Sequence, residues 1–173
     1  MTNCVYHRVP AEMKGDILYP LNEMKDIYPD IYKKAIEKYN GREHIMKDVI
    51  PILNCLWNDV LHFSPVHPLQ IKAAFKELGE EFTGREYFEI PVDTFAPEKT
   101  IIYLNGEIPK MDSRNWLSYD SALVPRYKEL PELSRRYYKE KFAKNEQPLL
   151  YAKIPHVLHR GSIDTKNITR IRI

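Results

Sequence analysis

Hydrophobic residues recur at helical spacing in two segments of the chain, each of which begins at a proline and ends at a glycine. The first segment follows Pro29, precedes Asn40-Gly41, and carries Tyr32, Ala35, Ile36 and Tyr39. The second segment follows Pro68, precedes Gly79, and carries Ile71, Ala74, Phe75 and Leu78. A stripe at positions i, i+3, i+4 and i+7 is typical of an amphipathic helix, in which proline favours the first turn and glycine the end. We therefore predict both helices, and a third that opens at Pro131 and runs to roughly Lys144.

Short alternating or continuously apolar runs predict strands in the rest of the sequence, where prolines and glycines separate them. These strands cover residues 3–9, 60–64, 87–90, 99–104, 149–154, 156–159 and 168–173. Residues 13–27 and 110–121 show no such pattern, and we expect irregular structure there. Because regular β-α-β alternation is missing, we predict an α+β fold with a split, mostly antiparallel sheet and about three inserted helices.

The composition is that of one folded domain spanning residues 1–173. Apolar residues make up 43% and aromatic residues 12%, which argues against a disordered chain, and the formal net charge is only +2. The two cysteines, Cys4 and Cys55, predict reduced thiols, and we expect neither a disulfide framework nor a metal site. No run of about 18 apolar residues occurs and residues 1–10 lack a secretion signal, so we expect a cytoplasmic protein with no membrane partner.

Three stretches of the sequence resemble the ADP-ribosyltransferase-like proteins. Tyr6-His7 resembles the opening Tyr-His strand of that superfamily, and residues 60–104 resemble its order of a strand, a connection and two further strands. Residues 146–155, which read Glu-Gln-Pro-Leu-Leu-Tyr-Ala-Lys-Ile-Pro, resemble the late strand that carries its catalytic glutamate. The similar branches are the RNA 2′-phosphotransferases and the DarT-type toxins that ADP-ribosylate DNA.

The resemblance implies an enzyme that takes NAD as its cofactor and acts on a macromolecular target. It implies that Glu146 is the catalytic carboxylate, that His7 contacts the ribose of NAD, and that Arg8 is a phosphate partner. A carboxylate suits this reaction because positive charge develops on the ribose as the bond to nicotinamide breaks. His62 and Ser64 share one face of a later predicted strand and are assigned to the same site. The predicted cofactor-binding residues are therefore Tyr6, His7, Arg8, His62 and Ser64.

Two other functions also fit the sequence. A non-catalytic domain would bind another protein through an exposed aromatic patch, built from Tyr19, Tyr28, Tyr32 and Trp116. A hydrolase or nuclease would use His62, His156 or Asp59 as its acid–base groups. Nucleic-acid binding through the basic side of the third helix is less favoured, because glutamates dilute the charge of Arg135, Arg136, Lys139, Lys141 and Lys144.

Overall fold

The computed structural model describes residues 3–173 and confirms the α+β class. Its α-helices within that range are α1 (Leu21–Ile27), α2 (Pro29–Ile36), α3 (Pro68–Glu77) and α4 (Glu132–Ala143). Its first strands are β1 (Cys4–Arg8), β2 (Ile17–Leu18), β3 (Val49–Ile50), β4 (Cys55–Leu56), β5 (Val60–Phe63) and β6 (Glu86–Pro91). The remaining strands are β7 (Thr100–Tyr103), β8 (Trp116–Ser118), β9 (His156–Arg160), β10 (Ile163–Asp164) and β11 (Thr169–Arg172).

The three helices predicted from the sequence are confirmed as α2, α3 and α4. Both Pro29 and Pro68 occupy the first turn of their helix, and the first stripe continues from α2 into a 3-10 turn that ends at Tyr39. The additional helix, α1, lies in a stretch that we expected to be irregular. It has only seven residues, none of them buried, so it leaves no hydrophobic stripe for the sequence to reveal.

Two antiparallel sheets form the centre of the molecule. One has the strand order β1-β6-β11 and the other has the order β5-β9-β7-β8. Two backbone hydrogen bonds between Tyr6 and Ser64, of 2.8 and 2.9 Å, form a single antiparallel bridge that joins β1 to the end of β5. Beyond that bridge the two strands form no further ladder, so the sheet is split between them.

Buried side chains form three hydrophobic clusters among residues 3–173. Val5 and Phe88 of the first sheet pack with Phe63 of the second, so one apolar cluster spans the split. A separate cluster lies under α3 and α4, where the ring of Phe75 contacts that of Tyr138 edge-on at 5.1 Å. The first cluster therefore holds β1 and β5 in place on either side of a gap that their backbones do not close.

The strand predicted for residues 149–154 is wrong, because residues 150–153 form turns and none of the six is in a strand. Backbone carbonyls that would pair in a sheet accept hydrogen bonds from side chains of α4 instead. The hydroxyl of Tyr138 donates to the carbonyl of Leu150, and that of Ser134 donates to the carbonyl of Ala152 at 3.0 Å. Lys153 adopts a φ of +62°, which an extended strand does not allow. Consequently the segment packs against α4 and does not lie beside β1 in a sheet.

Within the stretch 110–121, predicted to be irregular, β8 pairs with β7 at the edge of the second sheet. Among residues 3–173, none of the helices combines the length and the apolar character that a membrane span requires.

Candidate functional site

A cavity of about 270 Å³ occupies the gap between β1 and β5. We call it the split-sheet cavity. Its wall contains five of the six residues that the sequence assigned to a site, and five others from distant parts of the chain. The lining residues are Tyr6, His7, Arg8, Lys38, Tyr39, Trp57, His62, Ser64, Tyr151 and His156.

The side chain of His7 keeps β1 and β5 apart. In a continued antiparallel ladder, the next hydrogen-bonded pair after Tyr6 and Ser64 would be Arg8 and His62. Instead, Nδ1 of His7 donates a hydrogen bond of 2.8 Å to the carbonyl of His62. Backbone N–H and carbonyl groups of successive residues point to opposite edges of a strand. The N–H of Val9 points to β6, where it bonds to the carbonyl of Glu86, so the N–H and carbonyl of Arg8 point towards the gap.

The open gap explains why residues from opposite faces of β1 line one cavity. His7 and Arg8 are adjacent on β1 and therefore project to opposite faces of the sheet, as the sequence predicted. The ring of His7 contacts Phe63 on one face, at 5.4 Å between centroids, and Arg8 stands on the face that also carries Tyr6. Where no neighbouring strand closes the sheet, a ligand in the gap can reach both faces.

Three histidines line the cavity and are held neutral. Burial lowers the pKa of His62 to about 3, helped by His156, whose own pKa is lowered by burial to about 4. Burial also lowers the pKa of His7. The rings of His62 and His156 lie 6.3 Å apart. Within residues 3–173, no group of three histidine, cysteine or acidic side chains is arranged to hold a metal ion.

Backbone carbonyls fix the tautomers of two of these histidines. His7 donates through Nδ1 to His62, and His62 donates through Nε2 to the carbonyl of Trp57 at 3.1 Å. Nε2 of His7 and Nδ1 of His62 are then the unprotonated nitrogens, which accept hydrogen bonds from hydroxyl groups. Nδ1 of His156 is buried and has no hydrogen-bond partner of normal geometry.

Aromatic and cationic side chains complete the wall. Trp57 packs on His62 with 4.6 Å between ring centroids, and Tyr39 donates a 2.7 Å hydrogen bond to Asn58. Lys38 and Arg8 are exposed at the rim, where Lys38 lies 5.0 Å from the centre of the Tyr39 ring. Within the described part of the chain the lining contains no Asp or Glu, so the cavity favours an anionic or neutral ligand with a planar ring.

The hydroxyls of Tyr6 and Ser64 form hydrogen bonds within the protein that stabilise the cavity wall. The hydroxyl of Ser64 donates to the carbonyl of Val66 and accepts from its N–H, both at 3.1 Å, which fixes the turn after β5. The hydroxyl of Tyr6 donates to Glu89 at 3.3 Å, and burial raises its pKa. These hydroxyls are already partnered, so their part in the cavity is to hold its floor at the bridge between the sheets.

Glu146 is the one predicted site residue that the structure does not bring to the cavity. It is exposed just after α4, and Lys141 donates to it a hydrogen bond of 2.5 Å. That contact lowers the pKa of the carboxyl group. Tyr151, five residues later, does reach the cavity, so the predicted stretch contributes an aromatic ring in place of the expected carboxylate.

Of the groups named for the two alternative functions, His62 and His156 share the split-sheet cavity, whereas Trp116 and Asp59 lie elsewhere. Trp116 is buried and stacks on Tyr103 at 4.5 Å, so it is not part of an exposed aromatic patch. Asp59 accepts hydrogen bonds of 2.7 Å from Asn22 and from the N–H of Leu56, and does not line the cavity with His62.

The basic side of α4 is largely neutralised within the fold. Arg135 forms an ion pair with Glu77 at 3.1 Å, and Arg136 approaches Glu107 at 3.9 Å. Together with the pair of Lys141 and Glu146, these contacts reduce the positive charge that the side would offer to phosphates.

Sequence reasoning missed half of the cavity wall. Tyr39 was predicted as a position in a helical stripe and Tyr151 lay in a predicted strand. Trp57 and Lys38 were not assigned to any site. His156 had entered only as an acid–base candidate. No local pattern connects these residues, because they come from four separate parts of the chain, His156 from strand β9 and the others from turns and 3-10 segments.

No protein-family model matches the chain, and neither does any curated protein or solved structure. The function is therefore argued from the geometry of the cavity.

Proposed function

We propose that the protein binds an NAD-type dinucleotide in the split-sheet cavity and transfers its ADP-ribosyl group to a macromolecular target. One observation carries the proposal: Tyr6, His7, Arg8, His62 and Ser64, selected from the sequence for cofactor binding, all line one cavity at the split between two sheets. The resemblance of residues 6–7 and 60–104 to ADP-ribosyltransferase-like proteins is independent of this geometry.

The residues of the cavity fit parts of such a ligand. Tyr39 contributes an aromatic ring for a planar group, whereas the ring of Trp57 already lies 3.7 Å from Nζ of Lys110. The unprotonated nitrogens of His7 and His62 can accept hydrogen bonds from ribose hydroxyls. Arg8 at the rim suits the diphosphate because a guanidinium matches phosphate geometry. The volume of about 270 Å³ lies just below the range of about 300–1,000 Å³ that is usual for ligand pockets. It therefore encloses one half of a dinucleotide.

The chain contributes binding, orientation and control of protonation. A bound NAD-type dinucleotide supplies a ribose carbon whose bond to nicotinamide breaks as a target nucleophile bonds to it and releases a proton. His62 and His156 are too weakly basic to accept that proton while the cavity holds no anion. The negative charge of a diphosphate nearby raises the pKa of an imidazole, which brings His7 and His62 closer to the range of a general base. The proposal assigns no step to Glu146, which is exposed and paired with Lys141.

The decisive experiment measures NAD binding and nicotinamide release on matched variants. His7→Asn keeps a side-chain N–H for the carbonyl of His62 but removes the accepting nitrogen, and we expect it to fold and to lose both NAD binding and release. His44→Asn changes an exposed histidine outside the cavity, and we expect wild-type behaviour. The proposal fails if NAD neither raises the melting temperature of the wild-type protein nor yields nicotinamide.

A binding domain without turnover is the second candidate. The absence of Asp and Glu from the described lining favours it, because no carboxylate there can stabilise positive charge on a ribose. This candidate predicts that NAD or ADP-ribose stabilises the protein while no nicotinamide is released. The same two measurements therefore separate the two functions.

A further inference from the structure

Among the described residues that line the split-sheet cavity, Lys38 is the only lysine. It lies in the 3-10 turn that follows α2, where a guanidinium nitrogen of Arg42 donates a hydrogen bond of 2.8 Å to its backbone carbonyl. The turn therefore fixes the base of this side chain at the rim of the cavity. The proposed function gives Lys38 no role, although its amine shares a space with the histidines.

The ammonium group of Lys38 lies close to the imidazoles of His7 and His62. Burial lowers the pKa of both rings, and the positive charge of Lys38 adds to that lowering in each. The same ammonium group lies 5.0 Å from the centre of the Tyr39 ring. Because the unprotonated nitrogens of His7 and His62 can accept from ribose hydroxyls, a ribose bound to them would lie beside the amine of Lys38.

No anionic partner holds this amine in place. Within residues 3–173 the ammonium group of Lys38 forms no ion pair and no hydrogen bond, whereas Lys34, one turn earlier, is paired with Glu12 at 2.6 Å. Lys38 is exposed as a whole residue, yet burial lowers the pKa of its ammonium group. A lower pKa increases the fraction of neutral amine near neutral pH, and the neutral amine is the nucleophilic form.

The hydroxyl groups of the cavity wall are not available as nucleophiles. Three of them donate hydrogen bonds within the protein and the fourth is buried; they belong to Tyr6, Ser64, Tyr39 and, in the buried case, Tyr151. The guanidinium group of Arg8 remains protonated. Among the amine and hydroxyl groups of the described lining, Lys38 therefore presents the one nucleophile that is both exposed and without a hydrogen-bond partner.

We propose that the amine of Lys38 accepts the ADP-ribosyl group, so that the protein modifies itself at the rim of its own cavity. The inference rests on the proposed function. The ammonium group first releases a proton to solvent, and its nitrogen then bonds to the ribose carbon as the bond from that carbon to nicotinamide breaks. Nicotinamide leaves with the electron pair of the broken bond, and the secondary amine that forms releases a second proton to solvent.

An acceptor within the chain suits a cavity whose described lining has no carboxylate to stabilise positive charge on the ribose. A nucleophile held beside the reacting carbon makes the transfer effectively unimolecular, which lowers the barrier by another route. The attached ADP-ribose would stay in the cavity and exclude a further nucleotide. Self-modification should therefore limit each chain to one turnover when no other target is present.

The test incubates the full chain with NAD, measures released nicotinamide, and locates the adduct by mass spectrometry of peptides. We expect an adduct on Lys38, and nicotinamide release that stops when it equals the amount of protein. Lys38→Arg keeps the positive charge at the rim but removes the amine. We expect it to keep the wild-type melting temperature without NAD and to lower the adduct yield at least about tenfold. Lys33→Arg changes an exposed lysine outside the cavity and should be modified like the wild-type protein.

A parallel incubation with ADP-ribose controls for simple glycation, because its open-chain aldehyde forms imines with exposed lysines in general. We expect ADP-ribose to give no comparable adduct on Lys38. The inference is overturned if the adduct forms equally from ADP-ribose, or if NAD modifies other residues in place of Lys38. Nicotinamide release without an adduct on Lys38 would also overturn it and leave the proposed function standing. The absence of both release and adduct would refute the two together.

Discussion

Nδ1 of His7 bonds to the carbonyl of His62 at 2.8 Å, in the place where the backbone of Arg8 would otherwise continue the sheet. A side chain thus ends the ladder between β1 and β5 after a single bridge. The gap that results contains the split-sheet cavity, with peptide groups of Arg8 facing into it. One hydrogen bond therefore links the sheet topology to the candidate site.

Replacing His7 by a side chain without a donor should destabilise the protein. In His7→Phe the carbonyl of His62 loses its partner in a partly buried setting, and we expect a loss of about 1–3 kcal/mol in the free energy of unfolding. Urea denaturation at pH 7 measures the change. His7→Asn retains a donor and should lose less; equal losses in both variants would contradict the role given to this hydrogen bond.

Stability should fall as the pH drops from 7 to 5. His62 and His156 have pKa values of about 3 and 4 in the folded protein, below the value near 6.5 expected in the unfolded chain. The unfolded state therefore binds protons first, and each histidine should cost about 2 kcal/mol of stability by pH 5. His62→Gln should reduce this loss when denaturation is followed across the pH range. The exposed control His44→Gln should leave the loss of stability unchanged. If His62→Gln also left it unchanged, the buried imidazole of His62 would not be its cause.

Binding of an anionic nucleotide should be accompanied by proton uptake. A diphosphate near His62 raises the pKa of its imidazole from about 3, so the affinity for ADP-ribose should increase as the pH falls from about 6 towards 5. Calorimetric titrations in two buffers with different ionisation enthalpies count the protons taken up. Proton release, or affinity that is independent of pH, would mean that the nucleotide does not bind beside this histidine.

Glu146→Gln should behave like the wild-type protein. The carboxylate is exposed and its partner Lys141 is a surface lysine, and exposed ion pairs of this kind contribute little to stability. We expect no measurable change in the melting temperature, in NAD binding or in the rate of nicotinamide release. A large loss of release with intact binding would instead restore the catalytic role that the sequence resemblance implies.

Ile52 is a position where a substitution should stabilise the fold. It is 54% exposed and has a φ of +70°, in the left-handed region that is unfavourable for β-branched residues. Ile52→Gly relieves that strain and loses little buried surface, so we expect a gain of up to about 1 kcal/mol in the free energy of unfolding. Urea denaturation checks it, with Ile52→Val as the control that keeps β-branching and the strain.

The sequence by itself determined the elements whose signals are local. Hydrophobic stripes framed by proline and glycine located α2 and α3, Pro131 marked the start of α4, and alternation placed His7 and Arg8 on opposite faces of β1. Such patterns are readable because the periods of helix and strand are properties of the backbone. Local pattern also misled, since residues 149–154 have the apolar content of a strand but give their carbonyls to side chains of α4.

Only the tertiary structure decided what meets at the site. It joined Trp57, Tyr39 and Tyr151 to the histidines of two strands, and it left Glu146 outside on the surface. It also gathered Arg8, Arg85 and Arg170 around a second cavity. The reason is physical: the charge, the protonation state and the partners of a side chain depend on neighbours distant along the chain, whereas periodicity records only neighbours within a few residues.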